Sequence, residues 1–201
     1  MGRHAAQFFG MTLSLLALAA GLETPRAQDQ LAARAEPERY AGIIMVMGAR
    51  GSGVVRVKLT LERLSTDEER KSYGEAIKTK GSDGLAQAME KVTVGYLQFD
   101  QNLRYPLAYA IKVPTEKGTM IRVATNRPIS FTEQMRGAVS KDYRIGVAEF
   151  QLPKEGPGEG VVIGASKVEF NVKGELQVSS LPQNTGPQKI TQIEREGVDS
   201  K

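Results

Sequence analysis

The single histidine of this chain is His4, and cysteine is absent. Beyond position 4 the sequence offers no imidazole and no thiol. That removes Ser-His-Asp and Cys-His nucleophiles, structural zinc, imidazole-bound haem and the usual histidine base. Carboxylate, lysine, tyrosine and hydroxyl chemistry remain. Paired carboxylates could cleave glycosides, one as acid and one as base or nucleophile. The candidates on strands or at strand ends are Asp100, Asp142, Glu149 and Glu169. Lys167 and Glu169 alternate with Val168 and Phe170, as the wet face of a strand does. Glu149 stands between Ala148 and Phe150 in an apolar run, where it reads as the wet side of a strand or as a carboxylate of a hydrolase with Asp142 or Asp100 as its partner. Tryptophan, the usual sugar platform, is missing. No catalytic residue is assigned from these patterns, and no metal-ligand set or cofactor motif is found.

The glycine-rich stretch Gly48 to Gly53, GARGSG, lacks the lysine and the following helix of a phosphate-cradling loop and reads as a hairpin turn. The alternating Asp/Asn ladder of a calcium loop is also missing. The most distinctive stretch is ATNRPISF, Ala124 to Phe131. Pro128 has no backbone N–H and pushes Arg127 towards an extended conformation, so a strand leaves its ladder here. Arg127 is thereby set to face an anion at a pocket rim or to pair with an acidic neighbour such as Glu133. Arg127, Tyr109 and Phe131 are the expected ligand-binding residues.

The elements that must position these residues begin after an N-terminal leader. Residues 1–28 carry a basic start at Arg3, an apolar run from Phe8 to Leu22 and a polar exit, the plan of an export signal. Cleavage is expected between Ala19 and Ala35, and the apolar run is short of the roughly 20 residues that span a bilayer. The expected organisation is a signal at 1–28, a polar leader at 29–39, one β-rich domain at 40–196 and a tail at 197–201. No transmembrane segment remains after cleavage, and the product is periplasmic or extracellular. A cysteine-free exported domain must hold itself together by burial. Net charge is +4, and setting aside residues 1–28 removes Arg3, Arg26 and Glu23 to leave +3. Basic and acidic residues are interspersed rather than clustered, which argues against nucleic acid as a partner.

YAGIIMVMG, from Tyr40, reads as a buried strand, and Val55, Val57, Leu59 and Leu61 alternate with Arg56, Lys58, Thr60 and Glu62 in the clearest strand of the chain. At STDE a helix is expected, with Ser65 as its cap, Asp67, Glu68 and Glu69 in its first turn, and Gly81 beyond its end at Lys80. Ser82 caps a second short helix through Lys91. Strands follow at 92–99, 105–113, 119–125, 142–152, 160–172, 175–180 and 188–194, separated mostly by short Gly, Pro and Asn turns. Short connections require antiparallel pairing. The expected fold is α+β: a strongly curved or partly closed antiparallel meander of about nine strands with a helical pair inserted after the second. Val57, Leu59, Tyr109, Ile111, Ile121, Val123, Val162 and Phe170 are its expected inner residues.

STDEER, Ser65 to Arg70, and ATNRPISF, with the strand–helix–strand order around them, resemble an uncharacterised family of secreted bacterial proteins over about residues 40 to 181. That family more often has aspartate where this chain has Asn126, and the resemblance implies no activity. The composition and pattern together predict a non-enzymatic binding domain for a small apolar ligand or a protein partner, and the resemblance implies that it belongs to the bacterial envelope. The alternative is a carboxylate-dependent hydrolase.

Overall fold

The computed structural model describes residues 36–48, 51–100, 103–130, 142–183 and 186–197. The export signal, Glu133 and Phe131 lie outside the described residues. Strands β1 (Glu38–Gly48) and β2 (Gly51–Leu61) form a long antiparallel hairpin. β1 starts two residues before the expected boundary at Tyr40. Then come helix α1 (Asp67–Met89), β3 (Gly95–Phe99), β4 (Leu103–Leu107), β5 (Tyr109–Thr115), β6 (Gly118–Thr125), β7 (Ile145–Pro153), β8 (Gly158–Phe170), β9 (Leu176–Ser180) and β10 (Gln188–Arg195).

Nine of these strands form one antiparallel path in the order β4-β3-β2-β1-β10-β8-β7-β6-β5, and β9 hangs from β8. The two ends of the path are neighbours in the chain. Only Ala108 separates β4 from β5, so one stretch gives its first half to β3 and its second half to β6. The junction is held by Val94 N–H to Leu107 O at 2.8 Å and Ala108 N–H to Ala124 O at 2.9 Å. The single strand expected over 105–113 is therefore the seam of a nearly closed barrel. Closure satisfies strand edges that an open sheet would leave bare. The path is a meander except at its end, where β10 bypasses β9 and joins β8 to β1. β8, 13 residues long, serves both neighbours. Its first part pairs with β10 and its last with β9.

Apolar side chains fill the barrel, with Ile44, Leu59, Leu97, Ile121, Phe150 and Ile190 fully buried from six different strands. A second core lies outside it, where Tyr73, Leu85 and Met89 of α1 cover Ile111, Ala124, Ile145 and Val147. This division explains the sequence pattern. β2 alternates because its outer face is wet, whereas β5 to β8 are apolar on both faces because α1 covers the outer one. It also corrects the expected inner set. Val57, Leu59, Ile121, Val123 and Val162 point into the barrel, but Tyr109, Ile111 and Phe170 belong to the outer core. On β5 it is Ala110 that points inward, so its neighbours point out. On β8 the register slips by one residue between the pairs Val147–Ile163 and Ile145–Ser166, which turns the side chains beyond the bulge to the other face.

The helical pair is a single helix, interrupted at Gly81 with φ 64° and ψ −155°. This backbone conformation is open almost solely to glycine. Its N-cap is Thr66 rather than Ser65: the Thr66 hydroxyl accepts from Glu69 N–H at 3.2 Å, and the Glu69 carboxylate accepts from Thr66 N–H at 2.9 Å. Ser65 is used differently. Its N–H donates to Ala110 O at 2.8 Å and its hydroxyl accepts from Ala110 N–H at 3.0 Å, which fastens the start of α1 to β5.

Candidate functional site

The break at Gly81 lies between two grooves on the outside of the barrel. The first, of about 510 Å³, has Ile77, Val168 and Phe170 as apolar lining and Lys78, Ser82, Asp142, Lys167 and Glu169 as polar lining. Its floor is rigid. Phe170 meets Tyr109 edge to face at 5.9 Å and Tyr73 at 6.4 Å. Both tyrosines spend their hydroxyls inside the protein: Tyr73 donates to Ala108 O at 3.0 Å, and Tyr109 accepts from Leu176 N–H at 2.9 Å. Burial, the largest influence on each, pushes both phenols up to about 12, so they are neutral at physiological pH. The Ser82 hydroxyl donates to Asp142 O at 2.9 Å and ties the helix break to the segment before β7. Tyr109, expected to touch ligand, is thus fully buried behind Phe170 and supports the groove from beneath.

The second groove, of about 480 Å³, runs between the later part of α1 and the segment after β6. It is lined by Lys80, Arg127 and Arg144 together with Asp83 and Glu90. Arg144 pairs with Asp83 at 2.6 Å. The Arg127 guanidinium lies 5.0 Å from the centre of the Tyr105 ring and donates a long bond to Arg104 O at 3.4 Å. Pro128 also lines this groove, and Ile129 beyond it is buried, its N–H bonded to Gly164 O at 2.7 Å. The segment ATNRPI is therefore anchored by Ile129 and presents Arg127 at the rim, as its proline requires. Arg127 and Tyr109 belong to different places, one at the surface and one in the core.

The expected carboxylates are dispersed. Glu149 is in register with Arg122 and bonded to it at 2.7 Å, and the same guanidinium donates to Leu176 O at 2.5 Å. Asp100 accepts from Arg56 N–H at 3.0 Å at the end of β3. Asp142 and Glu169 border the first groove together. Among the described residues no three Asp, Glu, His or Cys side chains gather to hold a metal ion.

One constellation had no local sequence signal. At the end of the barrel where β1 begins, Lys112 Nζ meets Glu38 Oε1 at 2.5 Å, and the Tyr40 hydroxyl donates to Glu38 Oε2 at 2.5 Å. Arg195 stands 4.0 Å from the same carboxylate. Burial, the largest influence, pushes the Glu38 carboxyl up, but the bonds from Lys112 and Tyr40 and the charges of Lys112 and Arg195 outweigh it and leave it below its ordinary range. Burial and the Glu38 carboxylate raise the Tyr40 phenol well above its usual range. Glu38 and Lys112 are 74 positions apart, and only the barrel brings them together.

No protein-family model, no curated protein and no solved structure matches this chain. Among the described residues no helix is long and apolar enough to cross a membrane.

Proposed function

We propose that this chain is an exported, non-enzymatic binding domain that holds a small ligand with an apolar body in the groove beside Gly81. The observation that carries this reading is the groove itself. It is concave, has an apolar floor of Ile77, Val168 and Phe170 backed by buried Tyr73 and Tyr109, and has a rim of charged groups. Its volume of about 510 Å³ falls in the range of small-molecule sites. The barrel interior, the other place for such a ligand, is already filled by side chains of its own strands. Lys78 and Lys167 face Asp142 and Glu169 around the rim, so the apolar floor and not the sign of charge selects the ligand. Membership of a family of secreted bacterial proteins belongs to the same proposal.

The test is titration with the apolar anionic dye 8-anilinonaphthalene-1-sulfonate. Saturable binding at one site is expected, weakened at least about tenfold by Ile77→Glu, which places a carboxylate on the apolar floor. Undiminished dye binding by a folded Ile77→Glu variant would exclude the groove. The second reading, a carboxylate-dependent hydrolase, draws on Asp142 and Glu169 at the same rim, while Glu149 is occupied by Arg122. It requires turnover of a glycoside that Asp142→Asn abolishes.

A further inference from the structure

Strand β8 outlasts its partner β7. Their ladder closes at Ile145 opposite Ser166, and β8 runs four residues further, to Phe170. Over those residues β9 is the strand that pairs with it, and among the described residues no strand lies on the other edge. The groove beside Gly81 lies along that open edge. It touches Lys167, Val168, Glu169 and Phe170 in succession and no residue of β9. Neighbouring side chains of a strand point to opposite faces, so a cleft that meets four in a row meets the strand's edge. Helix α1 closes one end of the cleft, where a Cβ on Gly74 would meet Phe170 Cβ at 3.7 Å. Ile77 to Ser82 form the far wall.

An open edge presents N–H and C=O groups at strand spacing, alternate residues turning theirs outward. An extended peptide satisfies them with its own backbone, whereas an apolar molecule without donors and acceptors would bury them unpaired. Charge adds an order to the fit. The rim is balanced in sign, but along the edge exposed Lys167 and Glu169 alternate with Val168 and Phe170, which join the apolar floor. An antiparallel strand on this edge sets a basic residue opposite Glu169, an apolar one opposite Val168 and an acidic one opposite Lys167.

We infer that the ligand of this groove is a short extended peptide that adds a strand to the open edge of β8, with a basic, an apolar and an acidic residue in that order. A second copy of the chain fits less well, since its own β8 edge has α1 beside it and would bring that helix into the same cleft. This inference rests on the groove reading above and names its ligand class.

The probe is acetyl-Leu-Lys-Val-Glu-amide, titrated into the full chain with 8-anilinonaphthalene-1-sulfonate bound. Displacement of the dye is expected. Methylating the amides of the peptide's lysine and glutamate removes the donors of one of its edges, and methylating those of its leucine and valine removes the donors of the other. One analogue should bind at least about tenfold more weakly than the other, because a single edge of the peptide meets β8. Glu169→Lys, at an exposed position, should weaken the parent peptide about two- to fivefold, and acetyl-Leu-Glu-Val-Glu-amide should recover the loss on that variant. Equal binding of the two methylated analogues, or undiminished binding of the parent peptide to Glu169→Lys, would overturn the inference. Dye that stays bound at high peptide concentration overturns it and leaves the groove reading standing, whereas dye that never binds sinks both. A concentration-dependent dimer in analytical ultracentrifugation that Glu169→Lys abolishes would also overturn it, since the edge would then meet a second copy.

Discussion

Gly81 and Gly186 offer a matched pair of substitutions. A Cβ built on either glycine meets nothing within 4 Å, so neither substitution to alanine creates a clash. They differ in backbone: Gly81 has φ 64° and ψ −155°, while Gly186 is not in the left-handed region. Holding alanine in the Gly81 conformation costs about 1–3 kcal/mol. At Gly186 alanine narrows the unfolded ensemble and is expected to be neutral or stabilising by at most about 1 kcal/mol. For a domain of this size each kcal/mol moves the melting temperature by about 2–4 °C. Gly81→Ala should therefore lower Tm by roughly 2–12 °C. Gly186→Ala should leave Tm unchanged or raise it slightly. Urea unfolding followed by far-ultraviolet circular dichroism gives the same comparison as free energies. Since Gly81 and Ser82 line the first groove, Gly81→Ala should also weaken dye binding. Equal losses in the two variants, or a neutral Gly81→Ala, would refute the assignment of strain to the helix break.

Other substitutions follow from the same geometry. Glu38 has a folded pKa below its ordinary value of 4.5, so its stabilisation is complete above that value and is lost as the pH falls through the folded pKa. Glu38→Gln should flatten the acid side of a stability-against-pH curve measured by urea unfolding. Phe150→Ala, which empties a fully buried place in the barrel, should cost about 3–5 kcal/mol by the same assay. Thr66→Ala removes the α1 cap and should cost about 1 kcal/mol, whereas Glu68→Ala, outside the capping box, should be nearly neutral. Arg122→Ala strands Glu149 beside a half-buried strand face and should destabilise by about 1–3 kcal/mol, partly relieved in an Arg122→Ala/Glu149→Ala double variant.

The features legible in the sequence were local ones. The alternation of β2 gave its inner and outer faces residue by residue, because a wet outer face leaves the period of two undisturbed. Gly81 was readable as a left-handed position, although it interrupts one helix instead of ending the first of two. The shift of the cap from Ser65 to Thr66 followed from a distant partner, Ala110, which claims the Ser65 hydroxyl. Chain closure was not legible. Nothing local says that 105–113 divides at Ala108 between opposite ends of the sheet, or that β10 passes over β9 to reach β8. Tyr109 and Phe170 were placed on the wrong side because continuous apolar strands carry no face signal and the β8 bulge reverses its later residues. Arg127 lines the second groove, whereas the groove beside Gly81 draws on the helix, the segment before β7 and the end of β8, and no contiguous motif contains it.

The central claim is that ligand is held outside the barrel, beside the helix break, while the interior is structural. Amide chemical-shift mapping of the 8-anilinonaphthalene-1-sulfonate complex tests it most directly. The account predicts perturbations concentrated at Ile77 to Ser82 and Lys167 to Phe170, with Val57, Leu59, Ile121 and Val123 unmoved. Perturbations centred on those four interior residues, or confined to exposed Met45, Met47 and Val54 of the β1–β2 hairpin, would contradict it.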